Sequence, residues 1–508
     1  MNRMLFERVV ETVVLGALAW PLLQPSLSLP FWRAFRGFAW RLAALLAAYA
    51  ACVGIIALVA PLWLLRSLAA FAVVLLAAVH WHSAAVRGRS RRWPPGSLRP
   101  LALGAWFDRD FFLEQHRRYG SPFKTVQFVR PMACFVGLPG GLDFFRKHEA
   151  SLGSPPLPAG RFIPGGFLRH MTPEAHVSTK EVFQKAIVRE VYEPLEPFMR
   201  DVVRGELARM MDGESGFHEK GVAPRRHVQR AVFAMWARLF FHVEPATPAF
   251  ERLKTLYRII DTRNPSNLSD NEVREALAEI TAMLETQLAE NVQATNTAPR
   301  SILEAMARRR PGLVEDPTIA GNLIYLMHFT WSDVSGLLQW VFRMLTEHSE
   351  WAERLRAMRG VTDSDQVSAL SLSTRVVMET LRLEQSEHLY RFAKRDIEHE
   401  GIMIPRGWLV RLCVRESHRD PMVFHDPDEF DPDRFLTRPY TRREYSPFGA
   451  GLRHTCLGEG LSRQVGRVFA EELAWGYRWR TVTDGPYEYS SWRHWRPSSS
   501  WRVRLTPA

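Results

Sequence analysis

Cysteine is scarce in this sequence of 508 residues, which holds four cysteines and no CxxC pair. Their scatter along the chain excludes a disulfide framework and argues against a structural zinc site. Basic residues outnumber acidic ones by 66 to 54, but no repeat interleaves basic with aromatic side chains. Nucleic acid is therefore the least favoured partner, and the surplus favours an anionic membrane face or an acidic protein partner.

Long uncharged stretches occur only near the N-terminus. Residues 42–65 contain no Asp, Glu, Lys or Arg. As a helix they would extend about 36 Å, against about 30 Å for the hydrocarbon core of a bilayer. Residues 67–86 also lack formal charge. With Pro61 between them, these stretches predict two membrane spans, at about 42–60 and 62–84, or one long kinked anchor.

Arginines flank the apolar region on both sides, which favours a hairpin with both of its ends in the cytoplasm. We therefore expect residues 1–90 to anchor the chain to a membrane. Residues 91–100, RRWPPGSLRP, predict a stiff hinge. Residues 101–508 are then expected to form the catalytic domain, on the cytoplasmic side.

Helical periodicity dominates the chain after the hinge. Apolar residues recur every three or four positions in 272–292, and residues 318–348 are apolar on nearly all sides, which is typical of a buried helix. Residues 373–383 also predict a helix. Strand patterns are short, at 124–129 and 408–414. The sequence thus predicts a mainly α domain with small β-sheets.

Polar residues interrupt two of the predicted helices. Ser332, Asp333 and Ser335 fall in the middle of the apolar 318–348 run. Because a buried polar group without a partner is costly, they belong either to a satisfied network or to an active-site wall or proton path. Glu379 and Arg382 are spaced i and i+3, the spacing of an ordinary helical salt bridge.

The stretch YSPFGAGLRHTCLGEGLSRQ, residues 445–464, gathers four glycines around one thiol. The glycines are Gly449, Gly451, Gly458 and Gly460, and the thiol is that of Cys456. A flexible surface turn would explain the glycines alone. The alternative is a loop shaped to approach a flat bound group closely, with Cys456 as the ligand of that group.

Three motifs stand in one order along the chain. ETLR at 379–382 is followed by DPDEFDPDRF at 426–435 and by FGAGLRHTCLG at 448–458. In this order and spacing they resemble the cytochrome P-450 family, and the resemblance extends over about 95–508. It implies a cytochrome P-450-like fold, here preceded by a transmembrane helix or hairpin. The implied cofactor is haem, iron protoporphyrin IX with an axial thiolate.

The resemblance implies a place for individual residues. Cys456 aligns with the axial thiolate and metal ligand, within a loop that includes Phe448, Gly449, Gly451 and Gly458. A second group resembles the structural triad of the family: Glu379, Arg382 and Arg434. A third group resembles the partners of the haem propionates: Arg391 with Arg453 or His454, and, on a separate helix, His176 and Lys180.

The sequence departs from the family pattern at two places. Phe448 and Cys456 are eight positions apart, one more than the family spacing, so either Arg453 or His454 could meet a propionate. In the long apolar helix, Asp333 is followed by Val334 and not by threonine. The resemblance then implies that Ser335 or Thr330 supplies the catalytic hydroxyl, with Asp333 feeding protons.

The expected function is a membrane-bound haem-thiolate monooxygenase that hydroxylates or otherwise oxidises a lipophilic small molecule with O₂. The chain shows no flavin or iron–sulfur motif, so electrons would come from a separate ferredoxin or flavoprotein reductase. The altered loop and relay leave two alternatives open. One is an O₂-independent isomerase, dehydratase or peroxygenase of the same fold, and the other is a non-catalytic haem-binding membrane protein.

Overall fold

The structure is a computed structural model. It describes residues 92–98, 105, 108–127, 130–154, 158–168, 171–212, 221–261, 269–291, 298–360, 370–384, 389–449, 455–489 and 495–508. The anchor predicted for residues 1–90, with its spans at 42–60 and 62–84, lies outside the described residues, as do both ends of the 91–100 hinge. Among the helices of the described ranges, none is both long and apolar enough to cross a membrane.

Helices account for most of the described chain. They are α1 Phe111–Tyr119, α2 Leu138–Lys147, α3 Pro173–Ala186, α4 Arg189–Tyr192, α5 Glu196–Asp212, α6 Pro224–Phe241, α7 Pro248–Ile259, α8 Asp270–Asn291, α9 Ile302–Arg309, α10 Pro317–Glu347, α11 Ser349–Ala357, α12 Leu372–Leu383, α13 Val414–Ser417, α14 Arg434–Thr437 and α15 Glu459–Gly476. Short 3-10 helices also occur, and one of them, Pro158–Phe162, lies between β3 and α3.

Strands are short and form four small sheets within the described ranges. They are β1 Phe123–Gln127, β2 Arg130–Phe135, β3 Leu152–Gly153, β4 Leu389–Ala393, β5 Ile397–His399, β6 Ile402–Ile404, β7 Leu409–Leu412, β8 Tyr477–Thr483, β9 Glu488–Tyr489, β10 Trp495–Arg496 and β11 Arg502–Pro507. The largest sheet has the order β1-β2-β7-β4-β3. The expected mainly α fold with small sheets is thus observed.

The long helix α10 begins and ends within one residue of the predicted 318–348 stretch. Asp316 caps its N-terminus, because the Asp316 carboxylate accepts hydrogen bonds from the backbone N–H groups of Thr318 and Ile319. Pro317 occupies the first turn, where its missing N–H costs no hydrogen bond. The helix packs against α6, α12 and α15, which explains why it is apolar on nearly all sides.

The main hydrophobic core lies around α10. Trp236 of α6, Trp340 and Phe342 of α10, and Phe469 of α15 are almost completely buried there. The sheet β1-β2-β7-β4-β3 packs against α2 and forms a smaller core of its own. Between β7 and α15 lies a long segment with little regular structure, which leads into the cysteine loop. This segment is hydrogen-bonded to α12.

Candidate functional site

Cys456 lies at the end of a loop that a backbone hydrogen bond closes. The Cys456 N–H donates to the Phe448 carbonyl at 2.9 Å. Gly449 has a φ of +90°, in the left-handed region that side chains other than glycine avoid. α15 begins three residues later, and the unpaired N–H groups of a helix start favour negative charge nearby. Cys456 is exposed, whereas the other two described cysteines are buried, so its sulfur is open to a ligand.

A buried histidine, His418, is hydrogen-bonded to the start of the cysteine loop. The Ser446 N–H donates to Nε2 of His418 at 3.0 Å, and the Tyr445 hydroxyl donates to the Met378 carbonyl at 2.8 Å. Burial, reinforced by the cation of Arg382, lowers the pKa of His418 to about 3. The imidazole is therefore neutral at physiological pH, and Nε2 is available as an acceptor. These contacts fix the start of the loop to α12 and to the residue that follows α13.

The structure brings Glu379, Arg382 and Arg434 into one buried cluster. Arg382 donates to both carboxylate oxygens of Glu379 at 2.8 Å, and Nε of Arg434 donates to Oε1 at 2.9 Å. None of the three side chains is more than 4% exposed. Both guanidinium groups also donate to backbone carbonyls of the 418–429 segment, including that of Glu429. The cluster thus joins α12 to the segment that leads into the cysteine loop.

The helix α3 carries two of the basic residues that are predicted to contact the haem propionates. Nδ1 of His176 donates to the Leu168 carbonyl at 2.7 Å, which fixes the orientation of the ring. Lys180 follows one turn later. Burial lowers the pKa of the Lys180 amine, and the Cys456 sulfur acts in the opposite direction. Lys180 and Cys456 are therefore close enough to interact electrostatically.

Of the other predicted propionate partners, the structure describes Arg391 only. Arg391 is buried on β4, and its Nη1 donates to the carbonyl of Tyr390 at 2.7 Å. Gly451, Arg453 and His454 lie outside the described residues. The choice between Arg453 and His454 therefore stays a prediction.

In α10 the structure places Ser335 away from Asp333. Asp333 is half-buried, on the same side of the helix as Leu326 and Phe329. Ser335 stands two positions on, which is about 200° around the helix. It is completely buried and donates to the Trp331 carbonyl at 2.6 Å. The two side chains therefore point in nearly opposite directions.

Thr330 is held by contacts to α6 and to its own helix. Its hydroxyl donates to the Leu326 carbonyl at 2.8 Å and accepts from the Trp236 indole N–H at 2.8 Å. A hydroxyl has one proton to donate, and here that proton is used inside the helix. Thr330 precedes Asp333 by three positions, so the two residues share one side of α10. A relay between them stays a prediction.

Sequence reasoning missed a cation beside this helix. Arg496 of β10 is 8% exposed, and its Nη2 donates to the Ser332 hydroxyl at 2.9 Å and to the Ser332 carbonyl at 3.0 Å. Ser332 therefore belongs to a satisfied polar contact. No local pattern in the sequence pairs two residues 164 positions apart, so only the fold reveals this contact.

The residues present fit a haem with a thiolate ligand. The exposed Cys456 ends a loop that its own N–H closes, and the first turn of α15 follows the loop. Lys180 is close enough to interact electrostatically with Cys456. Thiolate is a ligand that haem iron accepts, and cationic side chains suit the propionates. Together with the mainly helical fold, this arrangement defines the class of haem-thiolate proteins.

Comparison with known proteins identifies the family. The family model described as Cytochrome P-450 matches residues 172–486, which is more than half of the chain, so the chain belongs to the cytochrome P-450 family. Proteins of this family bind haem through a cysteine thiolate. The chain is accordingly an oxidoreductase of the cytochrome P-450 monooxygenase type, which acts on a small molecule and uses a redox partner.

Curated relatives and solved structures agree with this assignment. Abscisic acid 8'-hydroxylase CYP707A1 of Solanum lycopersicum is 24% identical over 423 residues, which cover 77% of this chain and 86% of the relative. Abscisic acid 8'-hydroxylase 2 of Arabidopsis thaliana is 25% identical, covering 84% and 92%. A structure of retinoic acid-bound cyanobacterial CYP120A1 superposes with a TM-score of 0.65 at 23% identity, covering 83% of this chain and all of that one. At that identity the structural likeness shows the fold alone.

Proposed function

We propose that this protein is a monooxygenase that hydroxylates or otherwise oxidises a lipophilic small molecule, with electrons from a separate ferredoxin or flavoprotein reductase. The observation that carries the proposal is the exposed Cys456 in its closed loop, supported by the Glu379–Arg382–Arg434 cluster. When bound there, haem supplies oxygen activation, which thiolate donation favours. The residues of the chain supply binding, orientation and protons.

Cys456 is the residue that would hold the haem iron. Phe448, Gly449 and Gly458, with Gly451 of the part that is not described, shape its loop. A Cβ on Gly458 would meet the Cys456 sulfur at 3.9 Å, so this residue adjoins the sulfur directly. The triad is proposed to hold this loop in place, and not to take part in the chemistry. His176, Lys180 and Arg391, with Arg453 or His454, are the proposed partners of the propionates.

Asp333 is the proposed source of protons. Its carboxyl lies on the half-buried side of α10, whereas the hydroxyls of Ser335 and Thr330 are held by other contacts. A carboxyl can hold and deliver a proton without an alcohol beside it, provided that it reaches the substrate side directly or through one water. Ser335 and Thr330 are then residues that stabilise the helix packing.

One observation favours a second function. In the middle of α10, which is described in full, the serine or threonine that shares the half-buried side with Asp333 is Thr330, and its hydroxyl donates its proton to the Leu326 carbonyl at 2.8 Å. No other serine or threonine hydroxyl of that stretch lies on this side. An O₂-independent isomerase, dehydratase or peroxygenase does not need such a hydroxyl. This enzyme would act on a hydroperoxide or dehydrate its substrate without a reductant.

The names of the relatives support a lipophilic acid as substrate. The curated relatives are hydroxylases of abscisic acid, and the superposed structure holds retinoic acid. Both compounds are acids with a largely hydrocarbon skeleton. Residues 1–90 are proposed to anchor the enzyme to a membrane, into which such substrates partition, with the domain from 101 onward in the cytoplasm.

A labelled-oxygen assay tests the proposal. Purified protein is supplied with a ferredoxin and its reductase, or with a flavoprotein reductase, and incubated with lipophilic acids under isotopically labelled O₂. The expected product carries one labelled oxygen atom. Turnover of a hydroperoxide without any reductant would establish the second function instead. A spin-state shift on ligand binding with no product under any electron supply would indicate a non-catalytic haem protein.

Cell fractionation tests the anchor separately. The full chain is expected in the membrane fraction, and a variant that begins at residue 91 is expected in the supernatant, with haem bound. Recovery of the full chain from the supernatant at physiological salt would contradict the anchor and leave the proposed oxidation untouched.

A further inference from the structure

Tyr325 is a buried phenol without a hydrogen-bond partner among the described residues. Its side chain is completely buried, and no donor or acceptor lies within reach of its hydroxyl. Leaving a buried hydroxyl unpaired costs about 1–3 kcal/mol. Such a group in a well-packed helix calls for an explanation.

Apolar side chains pack against Tyr325, and two charged groups act on it. Ile163 and Phe167 pack against it from the segment before α3, and Phe329 stacks on its ring with centroids 6.0 Å apart. The cation of Arg161 acts on the phenol, as does the carboxylate of Asp261. Burial raises the pKa of Tyr325 above its ordinary value, so the hydroxyl keeps its proton and can donate it.

Tyr325 lies in line with the proposed oxidation site. Tyr325, Phe329 and Asp333 are spaced by four, so they follow one another along one side of α10. The rise from the first to the last is about 12 Å. Phe329 stands between them as an apolar surface, and its ring also meets that of Phe167 in an edge contact at 5.1 Å.

We infer that Tyr325 donates a hydrogen bond to the carboxylate of a lipophilic acid whose hydrocarbon part lies along Phe329 toward Asp333. The inference rests on the proposed function, in which Asp333 marks the oxidised end of the substrate. Arg161, which pairs with Asp270 at 2.6 Å, acts on the phenol more strongly than the opposing carboxylate of Asp261 does, and so favours an anion over a neutral oxygen. A charge-assisted hydrogen bond from a phenol is shorter and stronger than a neutral one.

Tyr325→Phe is the test variant, and Tyr257→Phe is the matched control. Tyr257 is an equally buried tyrosine, but its hydroxyl donates to the Ile324 carbonyl at 2.9 Å. The probes are retinoic acid, palmitic acid and their methyl esters, titrated against the haem spin-state spectrum of the full chain. Thermal unfolding of each ligand-free variant is measured alongside.

The wild type is expected to bind each acid about tenfold more tightly than its ester, and Tyr325→Phe to lose about that factor for the acids only. Ligand-free Tyr325→Phe should unfold at the wild-type temperature or above, because an unpaired hydroxyl has been removed. Tyr257→Phe should unfold at a lower temperature and keep the preference for acids.

Two results would overturn the inference. One is an equal affinity of the wild type for acid and ester, and the other is a Tyr325→Phe variant that loses thermal stability and keeps the acid preference. Either result leaves the proposed oxidation of a lipophilic molecule standing. If none of the four probes bound, the lipophilic-acid substrate would be contradicted together with the contact.

Discussion

The backbone amide of Ser446 donates a hydrogen bond of 3.0 Å to Nε2 of the buried His418. This contact ties the start of the cysteine loop to α13, the short helix that follows β7. It requires an unprotonated Nε2, because a protonated imidazole has no acceptor. The carbonyl of His418 in turn accepts from Nη1 of Arg382 at 2.7 Å, so a second positive charge would stand beside that guanidinium. The loop therefore depends on a histidine that stays neutral.

Acid is expected to destabilise the protein through His418. Its pKa is about 3 in the folded chain, because of burial and of Arg382, against an ordinary value of 6.5. Between those values the unfolded chain binds more protons, so the free energy of unfolding falls as the pH falls from about 6.5 toward 3. The slope from this single group is at most about 1.4 kcal/mol per pH unit. Denaturant unfolding at a series of pH values measures it.

His418→Gln is expected to flatten that acid slope, since glutamine offers an acceptor oxygen but does not titrate. His425→Gln is the control, because the His425 side chain is 93% exposed and its replacement should leave the curve unchanged. A His418→Gln curve that runs parallel to the wild-type curve across this range would refute the assignment.

Removing the carboxylate of Glu379 is expected to prevent stable haem incorporation. Glu379→Ala leaves two buried guanidinium groups without their shared anion, and breaking a buried ion pair costs about 3–5 kcal/mol. Haem content and thermal unfolding measure the effect. Glu398→Ala is the control, since its pair with Arg92, at 3.8 Å, is mostly exposed and should contribute less than about 1 kcal/mol. Robust holoprotein from Glu379→Ala would contradict the structural assignment.

Cys456→Ser is expected to leave a folded domain that lacks the thiolate signature in the reduced carbon-monoxide difference spectrum. Serine keeps the backbone bond to Phe448 but offers no thiolate. Circular dichroism should match the wild type. Cys134→Ala is the control, because Cys134 is a buried cysteine of β2. Folded protein of this variant should keep the thiolate signature. A wild-type spectrum from Cys456→Ser would mean that another residue holds the iron.

Substitutions in α10 are expected to separate Asp333 from Ser335. Asp333→Asn should lower the turnover rate by about 10²-fold or more if its carboxyl delivers protons. Ser335→Ala removes a hydroxyl that is bonded within the helix, so turnover should stay within about twofold. The rate of product formation at saturating substrate and reductant is the measurement. Equal losses in the two variants would restore the alcohol relay that the sequence suggested.

Three helices of the described ranges were predicted from residue spacing alone. The predicted 272–292, 318–348 and 373–383 begin within two residues of α8, α10 and α12, because burial on several sides imposes a periodic apolar pattern. Of the eleven strands in the part of the chain that the structure describes, two were predicted. Strands of two or three residues, such as β3 and β9, carry too little pattern to be seen in a sequence.

The candidate site was predicted from motifs, and motifs name residues without showing their contacts. The order of ETLR, DPDEFDPDRF and the cysteine loop singled out Glu379, Arg434 and Cys456. It did not show that Thr330 bonds to Trp236 or that Ser335 turns away from Asp333. Each of these facts depends on which neighbour packs against a given side of α10.

The amino-acid sequence by itself determined the helical class of the domain and the identity of the exposed thiol, because both follow from local periodicity and from a compact motif. The tertiary structure decided which polar groups are satisfied. The neutral His418 under Ser446, the guanidinium of Arg496 against Ser332 and the unpaired phenol of Tyr325 all arise from packing between distant segments. Burial removes water as an alternative partner. The fold alone therefore determines which of these polar groups have a hydrogen-bond partner within the protein and which do not.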